Sequence, residues 1–272
     1  MLEAIAEIGE KILRDQDMIE GRIVKISTED NKGEPKLTAI FDFDIGNKKL
    51  DIDTIEMDQN TVFKYLNLGR EGGPNANQWY VTFTTPGSLI AESVSQLALK
   101  DIPQDIKQQL EFIVKEFYFD FGEEVTPKYR YMLDLYKLGI TDESLDKLYE
   151  KSKNSTKPYK EIQDYLQKEL QKNIEKTLRI KSKRIGLYTL SVNKNPVALS
   201  GWYRNQIEKS LAGKKTAENK NNLCCSLCGS TEGSTSDLSK ISIKYYTTNQ
   251  LIFSSNFNLK NYDKNMVLCK GC

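Results

Sequence analysis

The sequence has no histidine, no long apolar run and few cysteines. Each of these features reduces the range of functions that the protein could have. Without histidine, the commonest general base is missing and no mixed cysteine–histidine metal site can form. No apolar run approaches the ~18 residues that a membrane span needs. The N-terminus is acidic and amphipathic, which does not fit a signal peptide. We therefore expect a cytoplasmic protein with no membrane partner.

Four of the five cysteines form two Cys-x-x-Cys pairs, Cys225/Cys228 and Cys269/Cys272. Each pair has the spacing at which two thiolates bind one ion, and together they supply four sulfurs for a tetrahedral site. Zinc suits such a site, and four protein ligands leave no position for a reactive water, so we predict a structural zinc ion. Disulfides and unrelated buried thiols are the alternatives. Cys224 is the odd cysteine, and its use in place of Cys225 would give a less common spacing.

The two pairs are separated by 40 residues, more than the usual gap of about 15–20 residues. We therefore predict an inserted hairpin or small subdomain, which begins with a strand where Ile241, Ile243, Tyr245 and Thr247 alternate. Proteins rarely stop at a metal ligand, so the final Cys272 leads us to expect a fragment of a longer protein.

The net charge of +1 conceals a strong asymmetry along the chain. Residues 151–222 contain 17 Lys/Arg and 6 Asp/Glu, a net charge of +11, whereas residues 1–150 have a net charge of −12. A basic segment beside an acidic one is typical of nucleic-acid-binding proteins. The alternative is that the lysines only form solvated helix faces.

Hydrophobic periodicity predicts an α+β fold: an N-terminal helix plus antiparallel strands, a helical middle and a C-terminal four-cysteine zinc-binding subdomain. We predict three parts: an N-terminal α+β domain (1–150), a basic helical and strand segment (151–222) and the zinc-binding subdomain (223–272). The predicted helices are 2–19, most of 103–150, 159–178 and 202–212. The predicted strands are 22–28, 37–45, 48–54, 79–84 and 185–193.

A glycine-rich polar loop ends the apolar segment that starts at Thr61. Its candidate nucleic-acid-binding residues are Lys64, Gly69, Arg70, Gly72, Gly73, Asn75 and Asn77. Glycines allow the backbone to approach a phosphate or a groove, and arginine and asparagine can contact base edges. From these residues alone, a plain surface turn is the simpler interpretation.

A basic cluster follows the predicted helix 159–178. It consists of Arg179, Lys181, Lys183 and Arg184. Cations at this position suit the negative end of the helix dipole, and they also form a patch that can bind phosphates.

Four aspartates, Asp42, Asp44, Asp51 and Asp53, lie on the predicted hairpin around Gly46-Asn47. Such carboxylates can bind a divalent metal, as nucleases do. The period-two alternation favours a simpler interpretation, in which they form the solvent-facing side of the hairpin.

Several of these motifs resemble the large subunit of type I-B CRISPR surveillance complexes (Cascade). The similar features are the opening helix followed by strands, and the Tyr-Leu-x-Leu-Gly segment that leads into a Gly/Asn/Pro loop, Tyr65 to Asn77. The family also has two widely spaced Cys-x-x-Cys pairs around a Lys-Tyr-Tyr-Thr strand, corresponding to Lys244–Thr247. The family's chain continues past its second pair, which agrees with the expected fragment.

The resemblance implies a non-catalytic protein. It implies binding to guide RNA and target DNA, recognition of the short motif beside the target, help in opening the duplex, and recruitment of a helicase-nuclease. Base pairing with the guide reads the rest of the target. Other CRISPR complex subunits are the implied protein partners. The alternatives are a nucleic-acid-processing enzyme whose catalytic domain lies beyond Cys272, and a zinc-stabilised scaffold that binds only protein.

Overall fold

The computed structural model describes residues 19–70, 77–211, 223–231, 234, 236, 255–258, 261, 264 and 266–269. The chain forms two units, the larger being Arg22–Ile207 and the smaller consisting of Met1–Gly21 and Glu208–Cys272. The predicted helix 2–19, apart from Ile19, and the predicted strand from Ile241 lie outside the described residues. The predicted three-part division stays a prediction.

Strands and helices are interspersed along the described residues. The strands are β1 (Leu37–Asp44), β2 (Lys49–Glu56), β3 (Thr82–Phe83), β4 (Tyr118–Asp120), β5 (Tyr131–Leu133), β6 (Ile185–Val192) and β7 (Asn195–Pro196). The α-helices are α1 (Gln59–Lys64), α2 (Gly87–Ala91), α3 (Ser93–Ala98), α4 (Gln104–Phe117), α5 (Leu145–Ser152), α6 (Pro158–Leu178) and α7 (Gly201–Leu211). Short 3₁₀ turns lie at Glu20–Arg22, Ser182–Arg184, Val197–Leu199 and Ser255–Phe257.

The hairpin predicted around Gly46-Asn47 is present, with β1 and β2 paired antiparallel. The Asp44 carboxylate accepts hydrogen bonds from the backbone N–H and the side-chain amide of Asn47, at 2.9 and 2.7 Å. These bonds close the turn, and they lower the pKa of the Asp44 carboxyl below its ordinary value. The hairpin and the α+β class are therefore confirmed.

A strand from far along the chain completes the sheet. β6 runs parallel to β1, while β3 and β7 pair antiparallel with β6, so the main order is β2-β1-β6-β3. Seven of the eight β6 residues are buried, which is typical of a strand covered on both faces. The sheet is therefore mixed, and β1 and β6 form its middle.

The stretch 103–150, predicted to be mostly helical, is helical only in α4 and α5. Between these helices lies a hairpin of β4 and β5, in which Tyr118 is opposite Leu133. Arg130 donates to both carboxylate oxygens of Asp120, at 3.0 Å each, across this hairpin. The dense aromatic residues at this point favour a strand, so the helical interpretation was wrong between α4 and α5.

The predicted strand at 22–28 is absent, and this segment is irregular. Its backbone forms hydrogen bonds with a loop and not with a neighbouring strand. The Val24 N–H donates to the Asn67 carbonyl, and the Asn67 side-chain amide donates to the Val24 carbonyl, both at 2.8 Å. The predicted strand at 79–84 is shortened to β3, because the Val81 N–H donates to the Tyr203 hydroxyl at 3.0 Å.

The helix predicted at 159–178 is confirmed as α6. It buries one stripe of aliphatic side chains at helical spacing and leaves polar residues on its other side. The stripe contains Ile162, Leu166, Leu170 and Ile174. Among the described residues, no helix combines the length and apolar character needed to cross a bilayer.

The core of the larger unit contains the rings of one sheet face. Phe43 of β1 meets Phe117 of α4 edge-on, with ring centroids 5.0 Å apart, and Phe41 meets Tyr188 of β6 at 6.1 Å. Each fully buried side chain of this size contributes roughly 1.5–3 kcal/mol to folding. The sheet and α4 therefore enclose an aromatic core within the larger unit.

Candidate metal centre and nucleic-acid-binding residues

The first cysteine pair lies on a tight backbone turn. The Gly229 N–H donates to the Cys225 carbonyl at 2.9 Å, and the Cys225 N–H donates to the Ser230 carbonyl at 2.8 Å. Gly229 has φ +74°, in the left-handed region that glycine adopts without a steric cost. The glycine that follows the first pair therefore closes the turn that presents its two thiols.

Hydrogen bonds hold the stretch before Cys269 beside the first pair. The Ser226 N–H donates to the Val267 carbonyl at 2.8 Å, and the Val267 N–H donates to the Ser226 hydroxyl at 3.0 Å. Cys225 and Leu268 are both buried and pack together. The 40 intervening residues therefore return the chain to its starting point, as the spacing predicts.

The sulfurs of Cys225, Cys228 and Cys269 all lie within 4.8 Å of one another. The Cys228 and Cys269 sulfurs are 3.5 Å apart, much longer than the ~2.05 Å of a disulfide bond. These three cysteines can therefore bind a metal ion together. Cys272 lies outside the described residues, and Cys224 is exposed and outside the group. The predicted ligand set is thus confirmed as a cluster for three of its four members.

The backbone favours the charged form of the buried thiol. Burial raises the pKa of Cys225, but hydrogen bonds from the backbone N–H groups of Cys228, Cys269 and Leu227 outweigh this effect. The net result is a pKa of about 6. Since thiolates are the form that binds metals, this environment fits a metal centre.

The start of the predicted nucleic-acid loop is rigid. Lys64 ends α1 and is exposed, and the next residues, Tyr65 to Leu68, are buried. Gly69 has φ +70°, and a Cβ there would lie 3.3 Å from a Val24 methyl group. Both the backbone angle and the space therefore favour glycine at position 69. Gly72, Gly73 and Asn75 lie outside the described residues, and Asn77 is exposed.

The Arg70 side chain binds protein groups. Its guanidinium lies 3.3 Å from a carboxylate oxygen of Glu92 and 3.3 Å from the Ser88 hydroxyl. The Glu92 side chain is fully buried, whereas Arg70 is 42% exposed. The second Glu92 oxygen accepts the Gln78 N–H at 3.2 Å. We name this group, Glu92 with Arg70, Ser88 and Gln78, the Glu92 anchor.

Glu92 was not predicted from the sequence, although a signal exists. It is the one charged residue in the apolar and small-residue run from Gly87 to Leu99. Charged side chains are rarely fully buried unless they are paired. An isolated glutamate in such a run therefore indicates a partner of opposite charge.

The basic cluster lies between α6 and β6. Arg179 ends α6 in a left-handed conformation, with φ +55°, and Lys181 and Lys183 are exposed. Arg184 differs, because its guanidinium donates to the Pro35 carbonyl at 3.1 Å and lies 3.6 Å from Glu34. The first three side chains therefore face solvent, whereas Arg184 also holds a neighbouring loop.

The four aspartates of the hairpin do not share one environment. Asp53 is exposed, and Asp51 pairs with Lys49 at 2.6 Å. Asp42 is only 5% exposed and accepts the Lys194 N–H at 2.8 Å. The solvent-facing interpretation is wrong for Asp42, because β6 covers the edge of β1 that a two-stranded hairpin would leave open.

Comparison with protein-family models shows to which family the chain belongs. A model of the N-terminal domain of CRISPR-associated protein TM1802 matches residues 1–209, and a model of the central domain of the same protein matches residues 222–272. The chain belongs to the CRISPR-associated protein TM1802 family. The predicted CRISPR association is therefore confirmed. No curated protein and no solved structure matches this family member.

Proposed function

We propose that this chain serves in the large subunit of a type I-B CRISPR surveillance complex. Membership of a CRISPR-associated family is the observation that carries the proposal. The type I-B assignment is supported by the resemblance in the cysteine pairs and in the segment from Tyr65 to Asn77. In this role the chain binds guide RNA, target DNA and other complex subunits. It recognises the motif beside the target, helps to open the duplex and recruits the helicase-nuclease.

Within this proposal, the loop after Gly69 contacts the motif in the DNA duplex. The rigid start of the loop and the exposed position of Asn77 support the assignment. Asn75 and Asn77 are the side chains that contact base edges, since asparagine can donate to and accept from a single base. Gly72 and Gly73 allow the close approach of the backbone.

The exposed cations contact phosphates in any sequence. Arg179, Lys181 and Lys183 face solvent within one short segment, and Lys64 is exposed at the end of α1. Arg184 contributes charge while it holds the neighbouring loop. Cations of this kind supply affinity that does not depend on base identity.

We assign the metal of the cysteine cluster as structural zinc. A tetrahedral ion with Zn–S bonds of about 2.3 Å holds its sulfurs roughly 3.8 Å apart, close to the 3.5 Å between Cys228 and Cys269. Cys225, Cys228, Cys269 and Cys272 would be the ligands. Zinc would link the two ends of the 40-residue insertion and would take no part in a reaction.

The proposed role is non-catalytic. The absence of histidine supports it, as do the different burial and partners of the four aspartates. Incubation of the chain with DNA or RNA and Mg²⁺ or Mn²⁺ tests this role, and we expect no cleavage. Cleavage that Asp42→Ala abolishes would instead favour a nucleic-acid-processing enzyme.

The experiment that tests the proposed function is reconstitution with guide RNA and the other CRISPR subunits. We expect the chain to join the complex, and the complex to prefer duplexes with the correct adjacent motif. Asn77→Ala should weaken binding to that motif by about 1–3 kcal/mol and change binding to scrambled motifs little. Asn154→Ala, an exposed asparagine on a different loop, is the matched control. Equal preference in wild type and Asn77→Ala would contradict the assignment of Asn77.

A further inference from the structure

The Glu92 anchor joins residues on both sides of segment 71–76. Arg70 precedes the segment and binds one Glu92 oxygen, while Gln78 follows the segment and donates its backbone N–H to the other oxygen. One buried carboxylate therefore binds both Arg70 and Gln78. We infer that Arg70 is a positioning residue, which acts through Glu92 to hold Gln78 and the adjoining Asn77 in place and does not contact DNA bases.

Backbone hydrogen bonds in two helices hold Glu92 in place. It lies at the junction of α2 and α3, where the Glu92 N–H donates to the Ser88 carbonyl at 2.9 Å and the Gln96 N–H donates to the Glu92 carbonyl at 3.0 Å. At the start of α2, beside Ser88, the Gln163 side chain of α6 donates to the Gly87 carbonyl at 2.7 Å. The anchor is therefore tied to the longest helix of the larger unit.

The charge balance explains why position 70 carries arginine. A fully buried carboxylate is strongly unfavourable unless a cation and hydrogen-bond donors compensate it. Glu92 has Arg70 as its cation, and the Ser88 hydroxyl and Gln78 N–H as further donors. The planar guanidinium serves Glu92 and Ser88 with two different nitrogens, which the single nitrogen of lysine would not do.

This inference rests on the proposed function for its consequence in DNA binding, but the anchor itself can be tested without DNA. Hydrogen exchange of the complete chain measures directly how well the Gln78 N–H is protected from solvent. We expect Glu92→Gln and Arg70→Ala to speed its exchange by about tenfold or more, since each weakens a charge-assisted hydrogen-bond group. Arg130→Ala removes a comparable arginine–carboxylate pair from the β4–β5 hairpin, and it should leave the Gln78 exchange unchanged.

The second measurement uses the reconstituted complex with guide RNA. The Glu92 side chain is fully buried and does not reach DNA, so an effect of Glu92→Gln on motif preference acts through the residues that Glu92 binds, Arg70 and Gln78. We expect Glu92→Gln and Arg70→Ala each to reduce the preference for the correct motif by about tenfold. The double variant should lose no more than either single variant, because both act on one anchor. The salt dependence of binding should keep its slope, since no phosphate contact is lost.

Each contrary result has a defined meaning. Unchanged Gln78 exchange in Glu92→Gln overturns the anchor. Retained motif preference in Glu92→Gln, together with its loss in Arg70→Ala, overturns the positioning role and shows that Arg70 contacts DNA. If the wild-type complex itself has no motif preference, the proposed function fails, and the exchange measurement alone decides whether the anchor exists.

Discussion

The two units of this protein obtain their order from different sources. The cysteine cluster combines a tight turn at Cys225–Gly229 with the chain near Cys269, and its described core is small. Its described part packs Cys225 against Leu268, and the proposed zinc ion would join the sulfurs of Cys225, Cys228 and Cys269. The larger unit is built by long-range pairing, with β6 inserted beside β1 and rings packed between the sheet and α4. The difference predicts that the two units respond separately to loss of metal and to loss of buried contacts.

Loss of the metal should produce the largest effect and should be confined to the smaller unit. Cys228→Ser, or a strong chelator, should unfold the described part of residues 223–269, because metal binding and local folding are coupled in such sites. Zinc content by elemental analysis and amide spectra resolved by residue would measure this. Cys224→Ser should retain one zinc. Less than about half an equivalent of zinc in fresh, reduced wild-type protein would contradict the assignment.

Removal of a buried carboxylate from the sheet should have the second-largest effect, and it should lower the stability of the larger unit only. Asp42→Ala removes the acceptor of the Lys194 N–H, which helps to hold the turn between β6 and β7. We expect the free energy of unfolding to fall by about 1–3 kcal/mol. Asp53→Ala, an exposed aspartate on the neighbouring strand, should change it by less than about 0.5 kcal/mol. Equal effects in denaturant titrations would show that the burial of Asp42 does not govern its contribution.

A smaller effect is expected for the basic cluster, and it concerns binding more than folding. Lys183→Ala should weaken binding of the reconstituted complex to all DNA sequences alike and lower the salt slope by about one unit. Lys147→Ala, which removes one exposed lysine from α5, should leave the slope unchanged. A sequence-dependent loss in Lys183→Ala would mean that this lysine contacts bases.

The smallest effect should be the pH dependence of the Asp120–Arg130 pair. Hydrogen bonds from Arg130 lower the pKa of the Asp120 carboxyl below its ordinary value. A lowered folded-state pKa stabilises the protein above the unfolded-state pKa, and this contribution is lost as pH falls through the folded-state value. Because Asp120 is 41% exposed, we expect less than about 1 kcal/mol. The stability difference between wild type and Arg130→Ala should shrink between pH 7 and pH 3, whereas a constant difference would exclude this linkage.

The sequence predicts features that depend on neighbouring residues. The hairpin around Gly46-Asn47 and the stripe of α6 follow from local periodicity, because each period fits one kind of structure. The meeting of Cys225 and Cys228 with Cys269 follows from chemistry, because paired thiols at this spacing indicate a shared ion. They were therefore predicted correctly without knowledge of the rest of the fold.

The features that the sequence missed depend on residues far apart in the chain. The burial of Asp42 follows from the arrival of β6, and the segment at 22–28 is irregular because Val24 pairs with Asn67. The Glu92 anchor likewise needs the fold to bring Arg70 and Gln78 to one carboxylate. A pattern in a single stretch does not identify which distant residue is the partner, so these contacts became visible only in the structure.

The parallel pairing of β1 and β6 has a consequence for synthesis of the protein. Asp42 and its hydrogen-bond partner Lys194 are 152 positions apart, so β1 leaves the ribosome long before β6 exists. During this interval the β1–β2 hairpin presents an unpaired edge, to which other nascent strands can add. Contacts between such distant residues also slow folding. The newly made chain therefore passes through a period in which slow elongation or a bound chaperone would decide between folding and aggregation.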